Sequence, residues 1–301
     1  MSDARAGRGP TVLRMILARQ LQALREKAGL SYEQAAEAIY ASSWTIRRME
    51  RAEGALKPLS VKALLVAYGV TDAREIDTFL ALAREASKPG WWHRASDVLP
   101  AWFRVSLGLE EAAALIRGYE PQCVPGLLQT EDYARALITQ GHPGETQGHP
   151  GESGDSGDTA AEADRLVQVR MTRQQVLTRP DPPKLWMVLD ETVLRRPVGG
   201  PAVMRAQLGR LIDAAAAPNI TLQVLPYSAG PHPAMYGMFH LFRFPDGELP
   251  DIVYGEHLTS AFYLDKPADA AAYRHALDRI CAQAAPAGQT AEILTATRKE
   301  Y

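Results

Sequence analysis

The chain of 301 residues holds only two cysteines, Cys123 and Cys281, far apart and in no CxxC spacing. Neither a disulfide framework nor a zinc site is supported by that count. Long apolar runs are missing as well. No stretch approaches the roughly 18 residues a membrane-spanning helix needs, and the N-terminus has no apolar signal core. A soluble, cytoplasmic protein with no membrane partner is therefore expected. Lysine is scarce: 7 of the 33 basic residues are Lys and 26 are Arg, which suggests a GC-rich genome and says nothing about mechanism. The chain also lacks a P-loop, a nucleophile elbow, an HExxH or SxxK motif and a dinucleotide glycine fingerprint. Catalysis has no motif to rest on, so no catalytic residue, metal ligand or cofactor is assigned and no enzyme is expected.

What is present divides in two. The length allows two domains, and a 46% hydrophobic content is enough to build cores. Residues 1 to 88 carry 14 Lys and Arg against 10 Asp and Glu, a net of +4, whereas the remainder carries 19 against 25, a net of −6. A mildly basic head on an acidic body fits a DNA reader joined to a module that does not touch DNA.

The head reads as a series of short helices. Leu13, Ile16, Leu17, Leu21 and Leu24 form one apolar stripe. Gly29 is placed to end that helix in a left-handed cap. Ser31 with Gln34 has the spacing of a capping box, and Ala35, Ala36 and Ile39 give the second helix a narrow inner face. Ser42 or Ser43 caps a third helix whose buried side is Ile46 and Met49. Its other side presents Ser43, Trp44, Thr45, Arg47, Arg48 and Arg51. Two helices joined by a short turn let the second enter the major groove of duplex DNA. Arg48 has the reach for a bidentate contact to guanine, and Arg47, Arg51, Lys57 and Lys62 are better placed for phosphate. A solvated basic face on an ordinary helical bundle would show the same periodicity. A further helix is expected after Val70, with Ile76, Phe79, Leu80 and Ala83 on one face, and Lys88-Pro89-Gly90 marks the domain boundary.

Residues 12 to 70 resemble the Xre family of helix-turn-helix regulators, relatives of lambda repressor. The matching residues are Leu21, Leu24, Arg25, Gly29, Leu30, Ala36, Ile46, Glu50, Gly69 and Val70. The resemblance implies that Ser43, Trp44 and Arg48 occupy base-reading positions, that Tyr32 lies near phosphate, and that Arg25 and Glu50 form a structural pair tying the first helix to the third. Two residues depart from the pattern. Tyr40 stands where the family usually has Gly in the turn, and Trp44 is bulky for a base-reading position, so it either meets DNA or folds back onto its own domain.

Beyond the boundary, Trp91, Trp92, Trp102 and Phe103 make an aromatic cluster, read either as a ligand cage or as packing. In 141 to 160, GHPGETQ and GHPGESG repeat at a period of seven without a recurring apolar residue, the composition of a mobile acidic Gly/Pro-rich insertion. His142 and His149 within it are read as solvated. The rest alternates α and β. Helices are expected at 108 to 118, 130 to 139, 161 to 178, 201 to 216, 267 to 284 and 288 to 297. Strands are expected at Lys184–Leu189, Ile220–Leu225, Met238–Phe244, Asp251–Tyr254 and Ala261–Leu264. Gly199-Gly200-Pro201 reads as a helix start or an anion cradle, and Asp190-Glu191 either as acids placed for proton transfer or as exposed acids at a strand end. His232, His240, His257 and Glu256 fall in or beside the strand region, open either to convergence in a pocket or to separate places. Ser228 to Pro233 joins two strands, either as a plain loop or as a ligand site formed with His232 and Tyr236.

This body is similar to the domain of unknown function that follows an Xre head in many actinobacterial regulators, including the WhiJ-like developmental regulators. The stretches carrying the similarity are YEPQCVPGLLQTEDYARALI, VLDETVLRRPVGGPAVMRAQLGRLIDAA, PNITLQVLPYSAGPHPAMYGMFHLFRFPD and IVYGEHLTSAFYLD. Such regulators are often encoded beside a small partner protein in an antitoxin-like arrangement, and the similarity implies a partner here. The expected fold class is α+β: an all-α, five-helix, lambda-repressor-like DNA-binding domain over 1–88, then a larger mixed α/β domain over 89–301. The expected function is a homodimeric regulator that reads an operator in duplex DNA and whose body senses a small-molecule ligand or binds a small protein. The alternative is a protein-interaction module with weak or no DNA binding.

Overall fold

The computed structural model describes residues 9–140, 156–247 and 249–301, in two compact units, Met1–His93 and Arg94–Tyr301. The first unit is helical: α1 Pro10–Lys27, α2 Tyr32–Glu37, α3 Ser43–Glu50, α4 Pro58–Ala67 and α5 Ala73–Ala86. Helix α1 buries Leu13, Ile16, Leu17 and Leu21 as the stripe predicts, while Leu24 is half-buried and Arg25 takes the inner position beside it. Helix α1 packs on α3, α4 and α5, and α2 packs on α3.

The first four helices end in the same way. After each, a left-handed residue lets two backbone N–H groups return to carbonyls of the last turn, which satisfies acceptors that a helix end otherwise leaves open. Leu30 bonds back to Arg25, Ala41 to Ala36, Glu53 to Arg48 and Val70 to Leu65, at 2.9 to 3.1 Å. The left-handed residues are Gly29, Tyr40, Ala52 and Gly69. The turn with Tyr40 in place of glycine thus keeps the motif, with φ at 51°, and bears the steric cost of a Cβ there.

The second unit is α+β. Its elements are α6 Ala101–Ala112, β1 Leu115–Glu120, α7 Glu131–Thr139, α8 Ser156–Arg173, β2 Lys184–Asp190, α9 Glu191–Arg195, α10 Pro201–Ala215, β3 Ile220–Leu225, β4 Phe239–Arg243, β5 Ile252–Glu256, β6 Ala261–Leu264, α11 Pro267–Gln283 and α12 Thr290–Glu300. The strands form one mixed sheet in the order β3-β2-β1-β4-β5-β6. Strands β1, β2 and β3 run parallel, and β4, β5 and β6 are joined to β1 and to each other by antiparallel pairings.

Two expectations need correction here. Residues 108 to 118 are not one helix: α6 ends at Ala112 and β1, at the centre of the sheet, begins at Leu115. Residues 156 to 160, placed in the insertion, already belong to α8. His142 and His149 lie outside the described residues.

Alternation along the strands sends successive side chains to opposite faces. One face is an apolar core in which Tyr119, Val188, Leu225, Phe239, Leu241 and Val253 pack with Ala270, Leu277 and Ile280 of α11. The other carries Ile116, Gly118 and Glu120 of β1 opposite Phe242 and His240 of β4. Gly118 is required there: a Cβ would lie 2.4 Å from His240 Cδ2 and 2.9 Å from Met187 Cε.

Candidate nucleic-acid interface

The turn between α2 and α3 is built by caps at both helix starts. Ser31 Oγ accepts from the Gln34 N–H at 3.2 Å, and the Gln34 side chain accepts from the Ser31 N–H at 2.9 Å, a complete capping box. Ser42 caps α3 by accepting from the Thr45 N–H at 3.3 Å, and its hydroxyl also meets Thr45 Oγ1 at 3.1 Å. Of the two serines offered as caps, Ser42 serves, and Ser43 becomes the first helical residue.

Burial then divides α3. Ile46, Met49 and Glu50 face inward. Glu50 receives a bidentate pair from Arg25, with Nε to Oε1 at 2.7 Å and Nη2 to Oε2 at 2.9 Å, both side chains being nearly excluded from solvent. Arg25 also donates to the Leu30 carbonyl at 2.9 Å, which ties the start of the turn to α3. The hydrogen bond to Glu50, against a smaller desolvation penalty, raises the guanidinium pKa above its ordinary value. Nearby, burial pushes the Tyr68 phenol well up, reinforced by the charge of Glu50.

The outward face of α3 is led by Trp44, 62% exposed, so the indole does not fold into the core. The Arg48 guanidinium lies over it, 4.7 Å from the ring centroid, and donates to the Glu53 carbonyl at 3.1 Å. Thr45 is half-buried, and Arg47 and Arg51 are exposed. Tyr32, the first residue of α2, carries two guanidiniums, those of Arg25 and Arg47, each 4.1 Å from its ring centroid. Lys57 is exposed just before Pro58 starts α4, and Lys62 is exposed one turn into that helix. The described residues therefore bring Ser43, Trp44, Arg47 and Arg48 together on one helix, with Arg51 at its C-cap and Tyr32 beside it. The part of Tyr32 in stacking Arg47, and the pairing of Arg48 with Trp44, had no signal in spacing alone beyond the i, i+4 relation of the latter pair.

In the second unit, the two residues offered for a ligand go separate ways. His232 is half-buried, with Nε2 3.3 Å from the Tyr119 hydroxyl, and that hydroxyl donates to Asp190 Oδ2 at 3.0 Å. Tyr236 is 98% exposed and stands on the rim of a different cavity, which His240, Glu256 and His257 also line. The convergence considered for the histidines thus holds for His240 and His257 and leaves out His232. Asp190 caps α9 by accepting from the Thr192 N–H at 2.9 Å, and Glu191 pairs with Arg195 at 2.7 Å, so both have structural work. Gly200-Pro201 begins α10, with Pro in its first turn. The aromatic cluster splits into two edge-on pairs, Trp91 with Trp92 and Trp102 with Phe103.

The class is defined by the first unit: residues 16–79 match the model of a helix-turn-helix domain, a DNA-binding element. Residues 103–296 match the domain of unknown function DUF5753, and the chain belongs to that family. No curated protein and no solved structure matches the chain. Among the described residues, no helix is long and apolar enough to cross a membrane.

Proposed function

We propose that this chain is a sequence-specific transcriptional regulator that reads an operator in duplex DNA with α3. One observation carries the reading: α3 buries Ile46, Met49 and Glu50 and turns Trp44 and Arg47 to solvent, with Arg48 half-buried on the indole and Arg51 exposed at the C-cap. Its N-terminal side chains face base edges and its arginines reach base or phosphate, as a recognition helix in the major groove requires. The likeness to Xre heads and lambda repressor supports this assignment. A homodimer would set two such helices about one DNA turn, ~34 Å, apart on a near-palindromic site. The second unit is the regulatory half, responding to a small molecule or to a small protein encoded nearby, as the likeness to actinobacterial antitoxin-like regulators suggests. We assign it no catalysis, cofactor or metal, and place its work in the cytoplasm.

The test is a gel-shift titration on duplexes selected from a random pool. Arg48→Ala should relax preference at one position by about 1–3 kcal/mol, the value of one good base contact. An unchanged preference would show that α3 does not read bases. A second reading is a protein-interaction module that has lost DNA binding. It is favoured by Tyr40 and Trp44, two exposed aromatics of the kind enriched at protein interfaces. Failure to retain any duplex even at low salt would select it.

A further inference from the structure

The second unit contains a cavity of about 600 Å³ that the DNA-reading function does not use. It lies on the sheet face opposite the apolar core, at the ends of β1 and β5. Its size is that of small-molecule sites, and its floor is polar where a sheet face would ordinarily be apolar. Glu120 and His240, both nearly excluded from solvent, line it, with His240 Nε2 2.9 Å from Glu120 Oε1. A carboxylate only accepts, so Nε2 carries the proton, and in the neutral tautomer Nδ1 is then a lone-pair acceptor. That Nδ1 is buried and has no hydrogen-bond partner among the described residues. An unmet buried acceptor is costly and calls for a donor.

Two guanidiniums also line the cavity: Arg173 grips Glu110 at 2.5 and 2.6 Å, and Arg170 donates to Gln129 Oε1 at 2.5 Å. Above this floor the walls are apolar and aromatic: Phe103, Met238, Tyr254 and, at the exposed rim, Tyr236 and Leu258.

We propose that this cavity binds a small organic amine with an aromatic or apolar body, its N–H donors meeting the Glu120–His240 pair and its body lying toward Tyr236 and Leu258. The inference rests on the reading of this unit as the regulatory half. Its test reads ligand binding alone, so its failure leaves operator recognition by α3 standing.

The probes are three molecules with one body and different heads: tryptamine, the neutral alcohol tryptophol and the anion indole-3-acetate, each titrated calorimetrically into the full chain. Tryptamine should bind more tightly than indole-3-acetate by roughly tenfold or more, the size of one charge-assisted hydrogen bond, with tryptophol between. Glu120→Gln should remove most of that preference. Tyr236→Ala changes only an exposed side chain, so the fold is spared, and it should weaken tryptamine several-fold. The proposal is overturned by equal or tighter binding of indole-3-acetate, by no tryptamine binding in the millimolar range, or by tryptamine binding unchanged in both variants.

Discussion

Arg47 of α3 stacks on Tyr32 of α2, its guanidinium 4.1 Å from the ring centroid, and the buried Arg25 approaches the same ring at the same distance. The ring therefore joins the structural pair Arg25–Glu50 to an exposed arginine on the face proposed to meet DNA. Tyr32→Ala should weaken operator binding by about 0.5–1 kcal/mol, the worth of an exposed cation–π contact. The dependence on salt should stay as it was, because Arg47 keeps its charge. Tyr32→Phe should bind as the parent does. Gel-shift titrations at several salt concentrations check all three statements, and a fall in the salt slope with Tyr32→Ala would contradict the positioning role.

Lys57 is expected to behave in the opposite way. It is exposed at the N-cap of α4. If it meets a phosphate, Lys57→Ala lowers affinity for every duplex alike and reduces the slope of log affinity against log salt by about 0.9. A loss confined to the selected operator would place it at a base instead.

Much of this interface was legible in the sequence because helix caps and apolar stripes are local. Ser31 with Gln34, Gly29, and Ile46 with Met49 state their roles within one turn of chain. Strands β3 and β6 were likewise read to the residue, being short β-rich runs bounded by turn signals. Strand β1 was not. Glu110 to Ala114 is a strong helix-forming run, and it carried the expected helix through Leu115 into a strand whose centre is Gly118, a poor strand former. What fixes β1 is non-local: Gly118 is the only residue small enough to let His240 and Met187 close over it. The cavity was illegible for the same reason. Glu120, His240 and Arg170 are 50 or more residues apart in the chain and meet only through sheet register and the packing of α8.

Glu50→Ala tests the pair that holds α1 to α3. Removing one partner leaves the Arg25 guanidinium buried beside its former site, a loss of about 3–5 kcal/mol. The double replacement Arg25→Met with Glu50→Leu should recover most of it, because both charges leave together. Urea unfolding of the parent and the two variants separates these outcomes. Equal stability of parent and single variant would show that the pair is not held dry.

Tyr40 and Ala52 occupy left-handed positions that glycine fills without strain, at φ of 51° and 59°. The left-handed conformation costs a residue with a Cβ about 1–2 kcal/mol, and glycine returns about 0.5–1 of that through its freer unfolded chain. Tyr40→Gly and Ala52→Gly should each stabilise the first unit by about 0.5–1 kcal/mol, seen as a higher thermal midpoint. Tyr40 is fully exposed, so no packing is lost with it. If Tyr40 also contacts DNA or a protein, its variant will be more stable and bind less well, which separates the two roles in one experiment.

Gly118→Ala should act at a distance from the DNA. Its new methyl would fall 2.4 Å from His240 Cδ2 and 3.0 Å from the Phe239 carbonyl oxygen. The carbonyl belongs to a strand and cannot yield cheaply, so the imidazole must move. Overpacking of this kind costs about 1–3 kcal/mol. Displacing His240 from Glu120 also removes the acceptor geometry of the cavity floor, so tryptamine binding should fall together with the stability of the second unit. The helices of the first unit have no part in this contact, and operator affinity measured below the unfolding transition should stay at the parent value. A Gly118→Ala chain with parental stability would mean that β1 and β4 do not close over this position.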